Sequence, residues 1–444
     1  MPTTKDLNVI QAEPTKDFFI NMITRDIELI PAIIDLVDNS VDGARRVRGS
    51  NGDFRGLWVR LEVDSDHFRI ADNCGGIPVG LARNYAFRFG RPADMPPTPH
   101  STGQFGVGMK RALFKMGKKF RIESTTNTSQ FEVIIDVDEW RQRDAWEFEF
   151  AQRREDLPEI HVDKRGTIIE VEPLLDTVAK SFALENFRTR LARELAETHQ
   201  ETIGRGLAVT LNRVPVQVDL PTLLQSDHLK PAHRKFPYKE AGHPEVTVEI
   251  YAGVAESDPS RAGWYVFCNG RLILGADQSS VTGWGEGSAT TIPRYHPQFA
   301  MFRGFVFFDS DDGTLLPWNT TKTGMDLDSG IYQAAKLVML NVMRPVIDFL
   351  NRLKEEKDRE PEERPLQELV EDAKGAPLKE LEISPNFETI KTPKPPTLPL
   401  VGNILYRKPL VEIERVKKAL KVQTNKEVGE KTFEFFLRTE VDSE

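Results

Sequence analysis

Residues 27–44, IELIPAIIDLVDNSVDGA, constrain this chain more than any other stretch. Ile27, Ile30, Ile33, Ile34, Val37, Val41 and Ala44 recur at three- and four-residue steps, which predicts a helix with one buried face. Pro31 falls early in the run, where a helix tolerates it best. Asp35, Asn39 and Asp42 sit at i, i+4 and i+7, so at about 100° per residue they share another face. A carboxylate with an amide one turn further on can hold a metal-bound phosphate and a water together. The same stripe also fits a solvated helix face.

Composition narrows the setting of this helix. A chain of 444 residues has room for two or three domains and for sizeable cores. Lys plus Arg is 59 and Asp plus Glu is 68, a net charge of −9, which argues against coating nucleic acid by bulk charge and leaves a local basic face open. Two cysteines, Cys74 and Cys268, exclude a disulfide framework and a Cys-based zinc cluster. No run approaches the ~18 apolar residues of a membrane span. The opening MPTTKDLNVIQAEP lacks the pattern of a signal peptide. These features predict a soluble, cytoplasmic protein with no membrane partner.

Residues 57–71 read as two short strands around a turn at Asp64–Asp66, and strand patterns follow at FRIES, FEVIIDV and GTIIEVEP. Helices mixed with an antiparallel-type sheet predict an α+β first domain over 1–178. A second unit over 179–355 opens with a helix around 181–200. It carries strands at LAVTLN, VTVEIYAGV, GWYVFCNGRLIL and FRGFVFFD, and closes with a long amphipathic helix near 331–354. Residues 356–400 are charged and then Pro-rich, which predicts a linker. Residues 401–444 predict two helical stretches around a turn near Gln423–Asn425. Arg415, Lys417, Lys418 and Lys421 are basic there, but Glu412, Glu414, Glu427 and Glu430 offset them, which favours a packed helix pair or an oligomer contact over DNA contact.

Three further stretches carry chemistry. In IADNCGGIP, residues 70–78, Asp72 ends a strand pattern and Gly75 and Gly76 let backbone approach a flat ligand. A carboxylate accepts from an exocyclic amino group, which suits adenine, although the pattern also describes ordinary turns. In STGQFGVGMKRALFKMG, Gly103, Gly106 and Gly108 precede a helix, and Lys110 and Arg111 add positive charge. Such a loop offers backbone N–H groups and a helix N-terminus to phosphate. It is not a Walker A loop, since the Gly-x4-Gly-Lys-Ser/Thr spacing is absent. Gly166 and Thr167 open the strand GTIIEV, where a hydroxyl can bond a buried polar group or a ligand. There is no His-Glu-x-x-His and no Gly-x-Ser-x-Gly, so a zinc hydrolase and a serine-nucleophile elbow are not predicted.

In this order and within about 140 residues, the four stretches together resemble the GHKL superfamily of ATP-binding proteins: gyrase B subunits, the ninety-kilodalton heat-shock chaperones, histidine kinases, MutL and MORC proteins. DLVDNSVDGA with STGQFGVGMKRA looks most like MORC proteins and their prokaryotic relatives. The resemblance implies a GHKL (Bergerat) α/β sandwich with a mixed, mostly antiparallel sheet. It also implies a transducer-like α/β second domain and leaves a small helical C-terminal segment. Asn39 would hold magnesium and Asp72 would receive the adenine amino group. Gly76, with Ile77 beside it, would let the base pack on backbone. Gly103, Gln104, Phe105, Gly106, Val107, Gly108 and Lys110 would form the lid and phosphate cradle, and Thr167 would support Asp72. In LLPWNTTKTGMD, Lys322 resembles the transducer lysine that meets the terminal phosphate.

Two positions depart from the superfamily. Asp35 stands where a Glu commonly acts as base for the attacking water; it is one methylene shorter, and a misplacement of about 1 Å can cost ~100-fold in rate. Cys74 stands where the first Gly of Asp-x-Gly-x-Gly is usual, and a small side chain fits that turn. The resemblance implies an ATPase that uses ATP and Mg2+ and hydrolyses slowly. It would form an ATP-dependent homodimer through an N-terminal strap at residues 1–20, closing as a clamp on a nucleic acid or protein partner. The alternative is a nucleotide-gated interaction module with little or no turnover, which Asp35 in place of Glu keeps open.

Overall fold

The computed structural model describes residues 14–25, 27–50, 52–90, 99–103, 106–286, 292–357, 359–360, 363–390, 404 and 407–441. The helix expected from the apolar repeat spans Leu29–Arg48, and Ile30, Ile33, Val37, Val41 and Ala44 are buried as the repeat requires. It stops at Gly49, whose φ of 80° is a conformation glycine adopts without strain. Arg45, Arg46 and Arg48 in its last turn suit the negative end of the helix dipole.

The core side of this helix joins an eight-stranded sheet. Its strands are β1 (Trp58–Val63), β2 (Phe68–Asp72), β3 (Lys119–Thr125), β4 (Gln130–Asp136), β5 (Phe150–Arg154), β6 (Gly166–Val171), β7 (Ala208–Leu211) and β8 (Val214–Pro215). The order is β5-β4-β3-β6-β2-β1-β7-β8, antiparallel except for the parallel pair β1 and β7. Register decides where the site forms. Ser124 pairs with Thr167, Thr125 with Gly166, and Ala71 with Ile168, so the ends of β3, β6 and β2 meet around Asp72. Helix Gly108–Met116 packs beside Leu29–Arg48 in the same core.

The first layer runs further than the boundary expected near residue 178. Leu191 and Leu195, on helix Glu185–Thr198, and Val209, Leu211 and Val216 all belong to its core. Strand β7 pairs with β1, a long-range contact that a local pattern does not show.

After β9 (Thr222–Gln225) comes a five-stranded sheet of β10 (Ala232–Tyr238), β11 (Val246–Val254), β12 (Gly263–Cys268), β13 (Arg271–Asp277) and β14 (Phe302–Asp309), in the order β10-β11-β14-β12-β13. Val248, Ile250, Val266, Val306 and Phe308 share a core with Ala335, Met339, Met343 and Leu350 of the long helix Gly330–Glu356. Part of the expected linker is packed: helix Pro365–Asp372 buries Leu366, and β15 (Lys374–Pro377) pairs with β9. The buried Glu356 accepts the amides of Leu366 and Gln367 at 2.8 and 3.3 Å, which satisfies that helix's first turn.

Residues 1–13 of the expected strap lie outside the described residues. Helix Lys16–Arg25 packs on its own sheet's aromatic cluster. The Lys16 ammonium donates to the carbonyls of Trp140, Arg143 and Ala145 at 2.8, 2.6 and 2.8 Å and lies 4.4 Å from the Trp140 ring centre.

Residues 1–390 make one compact unit and 391–444 another. The second contains helices Leu410–Leu420 and Asn425–Phe436, joined through Lys421 in the left-handed region at φ 55° and a capping box between Thr424 and Glu427. Among the described residues no helix is long and apolar enough to cross a membrane.

Candidate functional site

One cavity gathers residues from all four N-terminal stretches: Asp35, Asn39 and Asp42; Asp72, Cys74, Gly76 and Ile77; Gly103, Gly106, Val107, Gly108 and Lys110; and Thr167. Lys322, 155 residues beyond Thr167, lines it as well. Gln104 and Phe105 lie outside the described residues.

At one end, Asp72 is held by its neighbours. Its Oδ1 accepts the amides of Cys74 at 2.8 Å and Thr167 at 3.3 Å, and its Oδ2 accepts the Ser40 hydroxyl at 2.8 Å. Burial pushes the carboxyl above its ordinary range, against the pull of these donors. Oδ2 accepts only the Ser40 hydroxyl and keeps a second lone pair, so a ligand amino group facing the cavity still finds an acceptor. Beside it Gly76 takes φ 72°, and a Cβ there would sit 2.2 Å from the Thr125 carbonyl oxygen. Only glycine lets this backbone lie flat along the cavity wall. The Ile77 amide donates to Ser124 Oγ at 2.7 Å, and that oxygen lies 3.3 Å from Thr167 Oγ1. Cys74 is buried, and burial first, then Asp72, raise its thiol far above the ordinary range, so it is a packing residue.

At the other end, helix Gly108–Met116 points its N-terminus at the cavity. A Cβ at Gly108 would lie 3.2 Å from Asp35 Oδ2, so this glycine permits the close approach of the two helices. Asp42 anchors the loop before it. Its carboxylate accepts Ser101 Oγ at 2.7 Å, Thr102 N at 2.9 Å, Thr102 Oγ1 at 3.0 Å and Gly103 N at 2.9 Å. With these donors Asp42 acts as a loop anchor. Asn39, between Asp35 and Asp42, is exposed to the cavity. Lys110 is buried, donates to the Ala86 carbonyl at 2.9 Å, and is brought down by burial to about 7. A buried lysine with a neutral partner favours an incoming anion.

Asp35 is no free carboxylate. Oδ2 accepts from Arg111, through Nη2 and through Nε at 3.1 Å, and Oδ1 lies 3.3 Å from Arg271 Nη1 and 3.4 Å from Lys322 Nζ. Burial pushes its carboxyl up, but Lys322, Arg271 and Arg111 outweigh burial and hold it below its ordinary value. Asp38 Oδ2 accepts from Arg271 and, at 2.7 Å, from Lys322. Burial, countered by Asp35, leaves the Lys322 ammonium at about 8. Lys322 is presented by a tight loop in which it takes φ 55°. Its amide donates to the Asn319 carbonyl at 2.9 Å, and the Asn319 amide donates to the Gly324 carbonyl at 2.9 Å. His199 Nε2 lies 3.8 Å from Asp38 Oδ1, and burial, then Arg45, bring the imidazole down to about 3, so this contact is neutral.

A glycine-floored pocket with a buried carboxylate at one end has a helix N-terminus and two lysines at the other, a chemistry that suits a base and an anion respectively. Residues 27–167 match the family of Histidine kinase-, DNA gyrase B-, and HSP90-like ATPases. The match supports a GHKL-type ATP-binding domain over this segment. Among curated proteins, none matches the chain. Lys322, Arg271 and His199 lie beyond the segment matched to the GHKL model.

Asp38, Ser40, Ser124, Arg271 and His199 were not legible as site residues. Asp38 had one signal: it lies at i+3 from Asp35 on the same helix, close enough to share cations. Arg271 had another, the Asn269-Gly270 pair inside GWYVFCNGRLIL, which marks a hairpin and breaks that run into β12 and β13.

A magnesium ion with ATP takes one or two protein oxygens plus phosphates and waters, so it needs no carboxylate cage. The amide of Asn39, at the cavity between the Asp35 and Gly103 ends, fits that need. Among the described residues no group of three or more His, Cys, Asp or Glu side chains is gathered to hold a metal unaided.

Proposed function

We propose that this protein binds ATP with Mg2+ in the cavity between helix Leu29–Arg48 and the ends of β2, β3 and β6, and hydrolyses it slowly. The observation that carries the reading is the convergence of Asp72 and Gly76, of Gly103, Gly106, Gly108 and Lys110, and of Lys322 on one cavity. The adenine amino group donates to Asp72 while the base lies on Gly76 and Ile77, with Thr167 and Ser40 fixing the carboxylate. The amides at Gly106, Val107 and Gly108 and the ammonium of Lys110 meet the phosphates. Asn39 would hold the magnesium, which supplies charge neutralisation along the phosphates.

Hydrolysis places a water between Asp35 and the terminal phosphorus. The water oxygen bonds to phosphorus, the bond to the ADP oxygen breaks, and the water proton passes to Asp35. When Lys322 turns to the terminal phosphate, Asp35 Oδ1 keeps Arg271 alone, and removing one of three cations raises the basicity of the carboxylate. Lys322 thereby links the nucleotide to the second sheet. ATP-dependent pairing of two chains, with a nucleic acid or protein partner clamped between them, follows by analogy with MORC proteins, which DLVDNSVDGA and STGQFGVGMKRA resemble. Two buried, unpaired cysteines suit a cytoplasmic setting.

A second reading, a nucleotide-held switch without turnover, is favoured by one observation: both oxygens of Asp35 are engaged by cations. Phosphate release from magnesium-ATP by the wild type and Asp35→Asn separates the two. Turnover abolished by the substitution supports hydrolysis with Asp35 as base. Stoichiometric ATP binding without release from either protein supports the switch.

A further inference from the structure

Strands β12 and β13 are joined by Asn269 and Gly270, both at positive φ, 45° and 71°. This is the two-residue turn whose twist matches a hairpin, and Asn-Gly is the pair that forms it most readily. The turn does not end in solvent. The Asn269 carbonyl accepts from Arg45 of helix Leu29–Arg48, and its side-chain amide donates to the carbonyls of Ser310 at 3.1 Å and Ser101 at 3.5 Å. Arg271, the first residue of β13, is thereby carried into the first layer and is 3% exposed.

There it meets the same two carboxylates as Lys322. Arg271 Nη1 contacts Asp38 Oδ2 and lies 3.3 Å from Asp35 Oδ1; Lys322 Nζ lies 2.7 Å from Asp38 Oδ2 and 3.4 Å from Asp35 Oδ1. The two cations differ in one respect: Lys322 lines the nucleotide cavity and Arg271 does not. Arg271 Nε is buried without a hydrogen-bond partner among the described residues, as is Asp38 Oδ1. The guanidinium therefore keeps donor capacity beyond the bonds it makes now. Were Lys322 the sole cation on Asp38, its departure to a phosphate would strand a buried carboxylate, a heavily penalised state.

We infer that Arg271 is a positioning residue that keeps Asp35 and Asp38 neutralised, so that Lys322 is free to exchange these carboxylates for the terminal phosphate of ATP. The inference rests on the ATP reading above. Without the arginine, the lysine is the only cation from the second sheet for two buried acids, and it stays with them. ADP, lacking the terminal phosphate, leaves Lys322 on the carboxylates in either case.

The test is a double-mutant cycle on the full chain, reading the ratio of ATP to ADP affinity in the presence of magnesium. Lys322→Ala in the wild-type background is expected to lower this ratio ~10-fold or more, as for loss of a charge-assisted hydrogen bond. In the Arg271→Gln background the same substitution is expected to change it less than about 2-fold, the two effects being non-additive. An undiminished Lys322 effect beside Arg271→Gln overturns the inference. A merely structural arginine would weaken ATP and ADP alike and leave the Lys322 effect whole. Arg271→Lys keeps the charge on a shorter side chain without the planar guanidinium, and it should fall between. If Arg271→Gln does not fold, the Arg271→Lys cycle decides: a reduced Lys322 effect supports the inference, and one as large as in the wild type overturns it. Failure of the ATP reading looks different: the wild type then binds neither nucleotide, or Lys322→Ala leaves its ratio unchanged.

Discussion

Lys322 Nζ lies 2.7 Å from Asp38 Oδ2, across 284 residues of chain. Asp38 precedes Asn39 on the first layer's long helix, and Lys322 sits on a loop after the last strand of the second sheet. Their contact ties the cavity to the second sheet. The buried cluster holds Arg111, Arg271 and Lys322 against Asp35 and Asp38, an excess of cations over carboxylates that suits an incoming phosphate.

That excess makes Asp38→Asn informative. The substitution leaves three cations facing Asp35 alone, and the unfolding free energy is expected to fall by about 3 kcal/mol, as for a buried pair that loses one partner. Phosphates would replace the missing charge, so saturating magnesium-ATP should raise the melting temperature of this variant more than that of the wild type. Equal shifts would show that the cluster and the phosphate site are electrostatically independent.

Lys110 makes nucleotide binding pH-dependent. Burial holds its free pKa at about 7, and phosphates beside it raise that value on binding. At pH 8 binding should therefore take up a proton. Affinity is fully present below the free pKa and falls as pH rises through the bound one. Calorimetry at pH 8 in buffers of different ionisation enthalpy reads the uptake directly, and Lys110→Gln should reduce it. By the same linkage the unliganded protein gains stability between about 7 and 10.5, because over that window the unfolded lysine holds more protons than the folded one.

Gly76→Ala tests the floor of the cavity. A Cβ there would meet the Thr125 carbonyl oxygen at 2.2 Å, with φ at 72°, and β3 cannot move away without losing its pairing to β6. The expected cost is ~2 kcal/mol or more, read as a lower melting temperature, together with weaker nucleotide binding. Retained stability and affinity would mean that this backbone is free to shift.

The first layer was legible in the sequence because its signals are local. Ile30, Ile33, Val37 and Val41 report the helix by their spacing, Gly76 and Gly108 mark close approaches, and Asp72 ends an alternating strand. Ser40 and Ser124 were hidden because their roles come from pairing: β3 beside β6 puts Ser124 against Thr167, and only then does its hydroxyl reach Ile77. The partners of Asp35 were hidden for the same reason. Arg111 is a helical turn away from a glycine loop, but Arg271 arrives from another sheet, and nothing near residue 35 announces it. Strand β10 was missed since Pro237 and the charged residues at 233–235 break its alternation.

The central claim is that ATP binds with its base on Asp72. Equilibrium binding of magnesium-ATP to the wild type and Asp72→Asn, side by side, tests it most directly. The substitution keeps the size of the side chain, and an Asn oxygen can still accept from Cys74 N and Thr167 N. What changes is the second position, where an amide donor would now face the adenine amino group. The account predicts a folded variant whose affinity is lower by ~100-fold, the cost of an unmatched buried polar pair. Wild-type binding that survives Asp72→Asn undiminished would contradict it.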